Sequence, residues 1–421
     1  MVATQSLPIM HLSLITGGVL RDGAGGQLGR VDDVVVRLGA DYPVVSGVLA
    51  TVAGRRVFVP AEVVREIGHG YVELSEVRLD LRPFERRREE VLLKQDVLDR
   101  QLINVEGARL VRTNEIELAR VDGWYRVVGV DTGLRGLTRR VLPRRLAPRV
   151  QLGRFLDWAS VEPFTGHVPT VRLRVPHPKL ARLHPAQLAD LVEAASHREG
   201  EEIMSALADE DLEADVFEEL DTQHQREFIE ERTDAEVAGV LARMESDDAV
   251  DMLGELDEER RRRILELLPP LQARRVRALA GYDPATAGGL MSPDFICLYA
   301  TATKREAVGR IRRGQVKPPN SLTSIFTMNL HRRLQGEISL ADLIRAEDDD
   351  VLADLATLKP RVVSPDTEVE EIARLMTDYD LTIVAVTGAK GELIGVVTVD
   401  DVLELVLPRG WRRRFDLFGA E

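Results

Sequence analysis

Carboxylates in one short segment are the residues best suited to chemistry. The segment Ser246-Asp-Asp-Ala-Val-Asp251 places Asp247 and Asp248 in the expected first turn of a helix, with Asp251 in the next turn. Because Asp247 and Asp251 are four residues apart, their side chains should share one helix face, and the helix dipole should offset part of their repulsion. A pair of this kind is suited to binding a cation. The alternative is that Asp247 and Asp248 only cap the helix.

The charge of the chain is unevenly distributed around this segment. The net charge is −14, and the stretch from Glu199 to Glu259 holds 24 acidic residues against three basic ones. From Arg109 to Arg182 the balance reverses, with 15 basic residues against six acidic ones. An acidic block attracts cations or basic partners, and a basic block attracts anions. For many of these charges the alternative is a solvated surface.

Size and composition indicate a multidomain protein of the cytoplasm. The chain has 421 residues, 44% of them hydrophobic and 30% charged, which is room for about two to four domains. No apolar run approaches the ~18 residues of a spanning helix, and the first residues lack the pattern of a signal peptide. The single cysteine, Cys297, suits a reducing compartment.

Catalytic signatures are missing from the sequence. It has no P-loop, no glycine fingerprint for a dinucleotide and no Ser-His-Asp spacing, and its eight histidines are scattered. We therefore expect neither an enzyme nor a DNA-binding protein.

Short strands are predicted over residues 10 to about 150, where β-branched residues alternate with polar ones. Residues 1–88 and 89–165, the second including a linker, each resemble a PRC-barrel domain, through "GQLGRVDDVVV" and "WYRVVGVDTGLRGLTRRV". PRC barrels occur in photosynthetic reaction-centre subunits and in a ribosome maturation factor, so the fold does not fix a ligand. An RNA- or ribosome-associated adaptor acting through the barrels stays open as an alternative, although no basic–aromatic interleaving supports it.

Residues 183–285 are predicted to form a stacked array of short helices. Candidate N-caps recur at intervals of about a dozen residues, at Asp209, Asp221, Thr233, Ser246 and Asp257, with Pro269-Pro270 next. Helices this short are marginal alone, so each must bury its apolar stripe on its neighbours in a small superhelix.

Two copies of a mixed strand–helix pattern follow, at residues 286–350 and 351–410. Each ends in Gly-x-x-Ser/Thr-x-x-Asp, as Gly336, Ser339 and Asp342 and then as Gly395, Thr398 and Asp401. The two copies resemble a tandem CBS pair. The expected fold is thus multidomain α+β, with two small β-barrels, a helical superhelix and a CBS pair.

From residue 183 to about 407 the chain resembles the cytosolic part of MgtE-type magnesium transporters. The segments "LHPAQLADLVEAA", "SDDAVDMLGEL" and "TAGGLMSPDF" carry the match. The resemblance implies that Asp247 and Asp251, with Asp248 beside them, bind Mg²⁺ between the helical domain and the CBS pair. It also implies Glu347 as an acid on the CBS side, where a solvated loop is the alternative. Asp378 and Asp380 are plausible further acids, and a helix C-terminal turn is the alternative for them.

The function implied by this resemblance is that of an Mg²⁺-sensing regulatory protein without catalytic activity. It is expected to form a homodimer through the CBS domains and to regulate a separate integral-membrane transporter or channel, since the match ends before the pore. The alternative is a CBS sensor of adenine nucleotides, which would use Ser339, Asp342, Thr398 and Asp401. Many CBS pairs bind nothing at these positions, and Asp401 could instead simply cap the last helix.

Two further segments carry expectations. Residues 411–421, which include "WRRRF", combine aromatic residues with arginines, and could lie on the anionic inner face of the plasma membrane or be a basic tail. The segment "GYDPATAGGLMSPD", from Gly281 to Asp294, is interpreted as the joint between the helical array and the CBS pair. Gly288 and Gly289 are expected there for backbone angles that other residues resist.

Overall fold

The computed structural model describes residues 9–39, 41–75, 79–80, 82, 84–87, 90–133, 155–164, 179–207, 209–313 and 323–407. The chain divides into two compact units, residues 1–221 and 222–421. The predicted tail, residues 411–421, lies outside the described residues, as do much of the predicted linker and the end of the second barrel segment.

The first unit begins with β-structure. Its strands are β1 Met10–His11, β2 Val19–Arg21, β3 Gln27–Arg37, β4 Val44–Val52, β5 Arg55–Pro60, β6 Val64–Gly68, β7 Tyr71–Leu74, β8 Glu90–Leu92, β9 Gln101–Asn104, β10 Arg109–Arg112, β11 Glu115–Val121, β12 Trp124–Asp131, β13 Leu156–Asp157 and β14 Val161–Pro163. Strands β9, β10 and β14 form a small sheet, and the other eleven share one sheet. A short helix, α1 (Leu12–Ile15), follows β1.

The two segments that the sequence separates into barrels exchange their first strands. Strand β1 opens the first segment but pairs with β11 of the second, where Met10 is opposite Leu118. Strand β8 opens the second segment but pairs with β3 of the first, where Val91 is opposite Val36. One apolar core contains residues from both segments. The described strands of the two segments are therefore interleaved, and most of them share one barrel-like sheet.

A buried carboxylate stabilises each exchange. Asp33 in β3 accepts hydrogen bonds from the backbone N–H groups of Lys94 (2.8 Å) and Gln95 (3.1 Å), which follow β8. Glu115 in β11 accepts one from the N–H of Ser13 (3.1 Å), which follows β1. Both carboxylates are almost fully buried. Burial raises the pKa of Asp33 to about 6, against the opposing effect of these N–H groups.

Eight helices of similar length follow within the described residues. They are α2 Pro185–Ala194, α3 His197–Ala206 and α4 Glu210–Glu219 in the first unit, then α5 Thr222–Glu231, α6 Asp234–Leu241, α7 Ser246–Gly254, α8 Glu258–Leu267 and α9 Pro270–Leu279 in the second. The predicted N-caps at Asp209, Thr233 and Asp257 are confirmed, since each side chain accepts a backbone N–H. The sequence pattern thus located these helices well.

The predicted N-cap at Ser246 is wrong by one residue. Glu245 is the N-cap of α7, and Ser246 is the first helical residue and is fully buried. Its hydroxyl lies 3.4 Å from Oε1 of Gln272 in α9. The amide of Gln272 in turn donates to the carbonyls of Leu241, the last residue of α6, and of Met244, which follows that helix. The side chain of Ser246 therefore faces the interior, where its hydroxyl contacts α9.

The rest of the second unit contains two copies of one motif. Motif 1 comprises β15 Cys297–Tyr299, α11 Lys304–Arg312, β16 Ser324–Met328, β17 Leu334–Ser339 and α12 Leu340–Arg345. Motif 2 comprises β19 Val362–Val363, α14 Val369–Tyr379, β20 Ile383–Thr387, β21 Leu393–Thr398 and α15 Val399–Val406. In both motifs a parallel strand pair adjoins an antiparallel pair, and a bulge occurs at the same place. The two predicted copies are thus the same structure.

The segments that precede the motifs cross over to the other motif. We call residues 286–292, which include α10 (Ala287–Leu290), leader 1, and residues 351–358, which include α13 (Leu352–Leu355) and β18 (Thr357–Leu358), leader 2. Leader 1 bridges motif 2 at Thr286–Glu368 and Ser292–Val396. Leader 2 bridges motif 1 at Val351–Thr303 and pairs with β17. Each motif is therefore completed by the leader of its neighbour.

The glycines of the joint have a different role from the one predicted. Gly288 and Gly289 lie in α10, and neither has a positive φ. A Cβ atom at Gly288 would lie 2.5 Å from the ring of Tyr282, and one at Gly289 would lie 2.4 Å from the carbonyl of Asp283. The glycines are required because the chain folds back closely on α10, and not because of unusual backbone angles.

Candidate cation and nucleotide sites

The acids of α7 lie on the same helix face as Val250, which packs on an apolar cluster that includes residues of motif 2. Asp247 and Asp248 are half-buried in the first turn and Asp251 is exposed. Val250, between them, packs against an apolar cluster that joins Leu279 of α9 to the core of motif 2. Positions 247, 250 and 251 share one helix face. The structure therefore places these carboxylates beside a residue that packs on this shared apolar cluster.

The acidic run after α12 is held by bases from the same motif. The backbone N–H of Glu347 donates to Asp350 Oδ2 at 2.8 Å. Lys304 Nζ lies 3.4 Å from Asp348, and Arg305 lies 3.1 Å from Asp349. Glu347 itself is exposed. The run thus forms a closed turn at the start of α11, partly neutralised by two cations, with Glu347 directed to solvent.

Asp380 ends α14 in the left-handed region, with φ 54° and ψ 42°. Non-glycine residues adopt this conformation at helix ends when their side chains are short and polar, so Asp380 has a structural role. Its side chain is exposed. The same helix contributes Met376 to the cluster that Val250 contacts. Asp380 is therefore the C-cap of a helix that contributes to the same apolar cluster on which Val250 packs.

The predicted metal ligands are not gathered into a compact cluster. Among the described residues, none of the five acids belongs to a group of three His, Cys, Asp or Glu ligands with ligand atoms within 4.8 Å of one another. The five acids are Asp247, Asp248, Asp251, Glu347 and Asp380. Mg²⁺ usually retains several waters and needs only one or two protein carboxylates, so spaced acids still fit its chemistry.

Ser339 and Asp342 cap α12. Ser339 Oγ accepts the N–H of Asp342 at 3.0 Å and donates to Asp342 Oδ2 at 2.7 Å. Asp342 also pairs with Arg345 at 3.3 Å. The polar atoms at this position are exposed, and they first satisfy the helix end.

Thr398 and Asp401 form the equivalent cap of α15. Thr398 Oγ1 donates to Asp401 Oδ2 at 2.6 Å, and the N–H of Thr398 donates to the same oxygen at 3.1 Å. Thr398 is almost fully buried, unlike Ser339. The signature residues therefore complete a capping box, which is the structural alternative that the sequence left open.

A contact at the centre of the pair was not predicted from sequence. Thr382 Oγ1 donates to Thr323 Oγ1 at 3.1 Å, and these residues are 59 positions apart. The carbonyl of Thr323 accepts the N–H of Leu340, and that of Thr382 accepts the N–H of Val399. The two threonines occupy equivalent positions in the two motifs, and their hydroxyls form a direct contact between the motifs. The repeated Thr before each central strand was the available signal.

These observations define an array of short helices joined to a pair of interlocked βαββα motifs. The model of the MgtE intracellular N domain matches residues 183–285, and that of the CBS domain matches residues 352–408. In this region the chain belongs to the family of MgtE cytosolic domains. Motif 1 lies outside the CBS match, and its identical topology makes it the first member of the pair. Within the described residues, no helix combines the length and apolar character needed to cross a bilayer.

Proteins similar to this chain include magnesium transporters. The magnesium transporter MgtE of Thermus thermophilus is 36% identical over 159 residues, which are 38% of this chain and 35% of the transporter. The magnesium transporter MgtE of Bacillus subtilis is 26% identical over 227 residues, 53% of this chain and 49% of the transporter. The chain spans about half or less of the length of these relatives.

Solved structures extend the likeness to the three-dimensional level. A crystal structure of the cytosolic domain of the Mg²⁺ channel MgtE in complex with ATP is 31% identical, with a TM-score of 0.50 over 54% of this chain and 92% of that one. The soluble part of a magnesium transporter is 26% identical, with the same TM-score over 54% and 90%. The predicted relationship is confirmed for the helical domain and the CBS region.

Proposed function

We propose that this protein is a regulatory module that senses Mg²⁺ and controls magnesium transport. The observation that carries the proposal is the position of Asp247 and Asp251 beside Val250, where α7 packs against the cluster that includes motif 2. The family to which the region belongs and the names of its relatives support Mg²⁺ as the ion.

The acids of α7 suit Mg²⁺ by their oxygen chemistry and by their partial exposure. Mg²⁺ requires an octahedron of oxygens and retains several of its waters. Half-buried Asp247 and Asp248 would supply carboxylates near the interface, and exposed Asp251 leaves room for water. Two acids of the CBS pair, Glu347 and Asp380, would add to the negative field around the ion. Not all of these acids need to bind the ion directly.

The regulation we propose is electrostatic. Without the ion, acidic residues of the helical domain and the CBS pair repel one another, and the module favours an open arrangement. With Mg²⁺ bound between them, the repulsion is screened and a closed arrangement is favoured. The ion shifts the equilibrium because a site divided between two domains is complete only when they meet.

The target we propose is a membrane protein that conducts Mg²⁺, reached from the cytoplasmic side. The support is that the similar curated proteins are magnesium transporters. The active form would be a homodimer joined through the CBS pair. Ile344 in α12 and Leu403 in α15 are equivalent residues of the two motifs, and both are exposed, at 76% and 45%. Such residues suit an apolar dimer interface.

Calorimetric titration tests the ion site. We expect Mg²⁺ to bind the wild-type protein at millimolar concentrations or below, and binding to weaken at least about tenfold in Asp247→Asn/Asp251→Asn. Glu258→Gln/Glu266→Gln is the matched control, since it removes two exposed charges from the adjacent helix α8. Equal affinities in all three proteins would refute the site.

A second candidate is binding of an adenine nucleotide by the CBS pair. It is favoured by the likeness to a cytosolic domain whose crystal structure is in complex with ATP. Thr398 and Asp401, with Ser339 and Asp342 in the equivalent position, would then contact phosphate or ribose as well as cap their helices. ATP binding that is lost in Asp401→Ala, while the folded state is retained, would support this function.

We further propose that the two halves of the first unit are PRC-type barrels. Their support is the repeated order of strands and the equivalent exchange of β1 and β8. An experimental structure of the first unit would test this, and strand orders that differ between the halves would refute it.

A further inference from the structure

A cavity of about 840 Å³ opens where the two halves of the first unit meet. Arg37 at the end of β3, Val44 at the start of β4, Phe58 in β5, and Trp124 and Arg126 in β12 contribute to its wall. Strand β12 joins β4 at this point, where Arg126 is opposite Val44. The volume of the cavity lies within the range of small-molecule sites, roughly 300–1,000 Å³.

Positive charge dominates the lining. Three arginines, Arg37, Arg87 and Arg126, stand against one lining carboxylate, Glu62. In the described part of the chain, neither Arg37 nor Arg126 forms an ion pair with a carboxylate. Arg126 donates one Nη1–H to the carbonyl of Tyr42 at 3.1 Å, which orients its guanidinium. A guanidinium has five N–H donors, so most of those on Arg37 and Arg126 remain available to a ligand.

Arg87 is positioned by an aromatic ring. Its guanidinium carbon lies 5.3 Å from the ring centre of Phe58, and its closest described carboxylate contact, to Glu90, is 3.8 Å. The buried Glu90 also receives the hydroxyl of Ser46 at 3.4 Å. Arg87 is therefore held at the wall by a cation–π contact and a weak ion pair.

An exposed indole lies in the same cavity. Trp124 is 45% exposed, whereas Trp158 of the same unit is 2% exposed. A tryptophan at the rim of a cationic cavity offers a flat face on which a ring can stack. Arginines that bind oxyanions and an indole that binds rings thus converge on one space.

We propose that this cavity binds a small organic anion that carries a planar ring. Its phosphate or carboxylate would be bound by Arg37 and Arg126, because their planar forks match the geometry of these oxyanions. Its ring would stack on Trp124. This site goes beyond the proposed Mg²⁺ function and uses none of the acids or caps assigned to it.

Calorimetry on the full chain tests the oxyanion contacts. The probes are AMP and benzoate, which combine a ring with phosphate or carboxylate, and adenosine and inorganic phosphate, which supply the parts. We expect AMP or benzoate to bind, and Arg37→Gln/Arg126→Gln to weaken that binding at least about tenfold. Arg30→Gln/Arg55→Gln is the control, since these arginines are exposed on β3 and β5 and lie outside the lining.

Tryptophan emission locates the binding. We expect the bound probe to change emission in the wild type and in Asp401→Ala, which separates this site from the CBS pair, and not in Trp124→Phe. The proposal is overturned if neither AMP nor benzoate binds up to about 10 mM, if the arginine variant matches its control, or if emission responds unchanged without Trp124. Phosphate and adenosine should each bind more weakly than AMP, and equal binding of phosphate would overturn the role of the ring.

Discussion

The guanidinium of Arg275 lies 2.8 Å from the carboxylate of Asp294 and joins the last helix of the array to the segment between leader 1 and motif 1. Asp294 is 8% exposed, and burial raises the pKa of its carboxyl group while Arg275 opposes that rise. With Leu279 in the core of motif 2, the pair ties α9 to the CBS region. Any relative movement of the array must therefore preserve or break this ion pair.

We expect Arg275→Gln to lower the free energy of unfolding by about 2–3 kcal/mol at neutral pH, because it leaves the buried carboxylate of Asp294 uncompensated. The loss should shrink as the pH falls, since a protonated Asp294 needs no counter-charge. Denaturant unfolding at two pH values measures both effects. Adding Asp294→Asn to the variant should recover part of the stability, and a double mutant no more stable than Arg275→Gln would contradict this account.

Asp33 should make the first unit less stable as the pH rises. Its folded pKa of about 6 exceeds the unfolded value near 3.9, so the folded state holds the proton more tightly. The contribution is fully present below about pH 4, is lost between about pH 4 and 6, and amounts to about 3 kcal/mol. Comparing Asp33→Asn with the wild type by chemical denaturation isolates it, since only the wild type should show this slope. Parallel slopes would exclude Asp33 as the source.

Gly336 and Gly395 should resist substitution because a leader crosses each of them. A Cβ atom at Gly336 would lie 2.7 Å from Cβ of Ala356 in leader 2, and one at Gly395 would lie 2.7 Å from the side chain of Met291 in leader 1. We expect each Gly→Ala change to lower the free energy of unfolding by about 1–3 kcal/mol. Gly336→Ala should cost more, because Ala356 has no flexible atoms to move.

Rescue by the opposite segment is the control for this prediction. Ala356→Gly should restore stability to Gly336→Ala but not to Gly395→Ala, and thermal unfolding would show the difference. Equal effects of Ala356→Gly in both backgrounds would mean that the two contacts are not specific.

The proposed dimer should depend on Ile344 and Leu403. We expect Ile344→Asp/Leu403→Asp to shift the protein to a monomer in sedimentation velocity, since charges in an apolar interface are costly to desolvate. Leu330→Asp is the control, because Leu330 is 83% exposed in the turn between β16 and β17. A dimer that survives the double change, or a wild-type monomer, would place the interface elsewhere or remove it.

Local sequence patterns predicted local structure well, but they did not predict contacts between residues that are far apart in the chain. The caps at Thr233 and Asp257 and the box of Thr398 and Asp401 depend on residues three positions apart, so the sequence displays them directly. Ser246 misled because its hydroxyl satisfies Gln272, a partner 26 residues away.

In the candidate cation site, too, the local features could be predicted from sequence and the long-range contacts could not. The helical spacing of Asp247 and Asp251 follows from sequence alone, as does their place in an acidic block. That Val250 between them reaches a cluster containing Met376 depends on how three separate elements pack. The cationic cavity was equally hidden, since Arg37 and Arg126 meet only because β4 and β12 pair.

The crossed leaders imply that the CBS pair can be divided and reassembled. A chain cut after residue 350 would give one piece with motif 1 and the leader that motif 2 needs, and another with motif 2 and the leader that motif 1 needs. Each piece alone would expose apolar surface that its missing leader covers, so the two should recover a native fold chiefly by complementation in trans. The same logic makes the region between the motifs a natural place for strand-exchanged oligomers to arise.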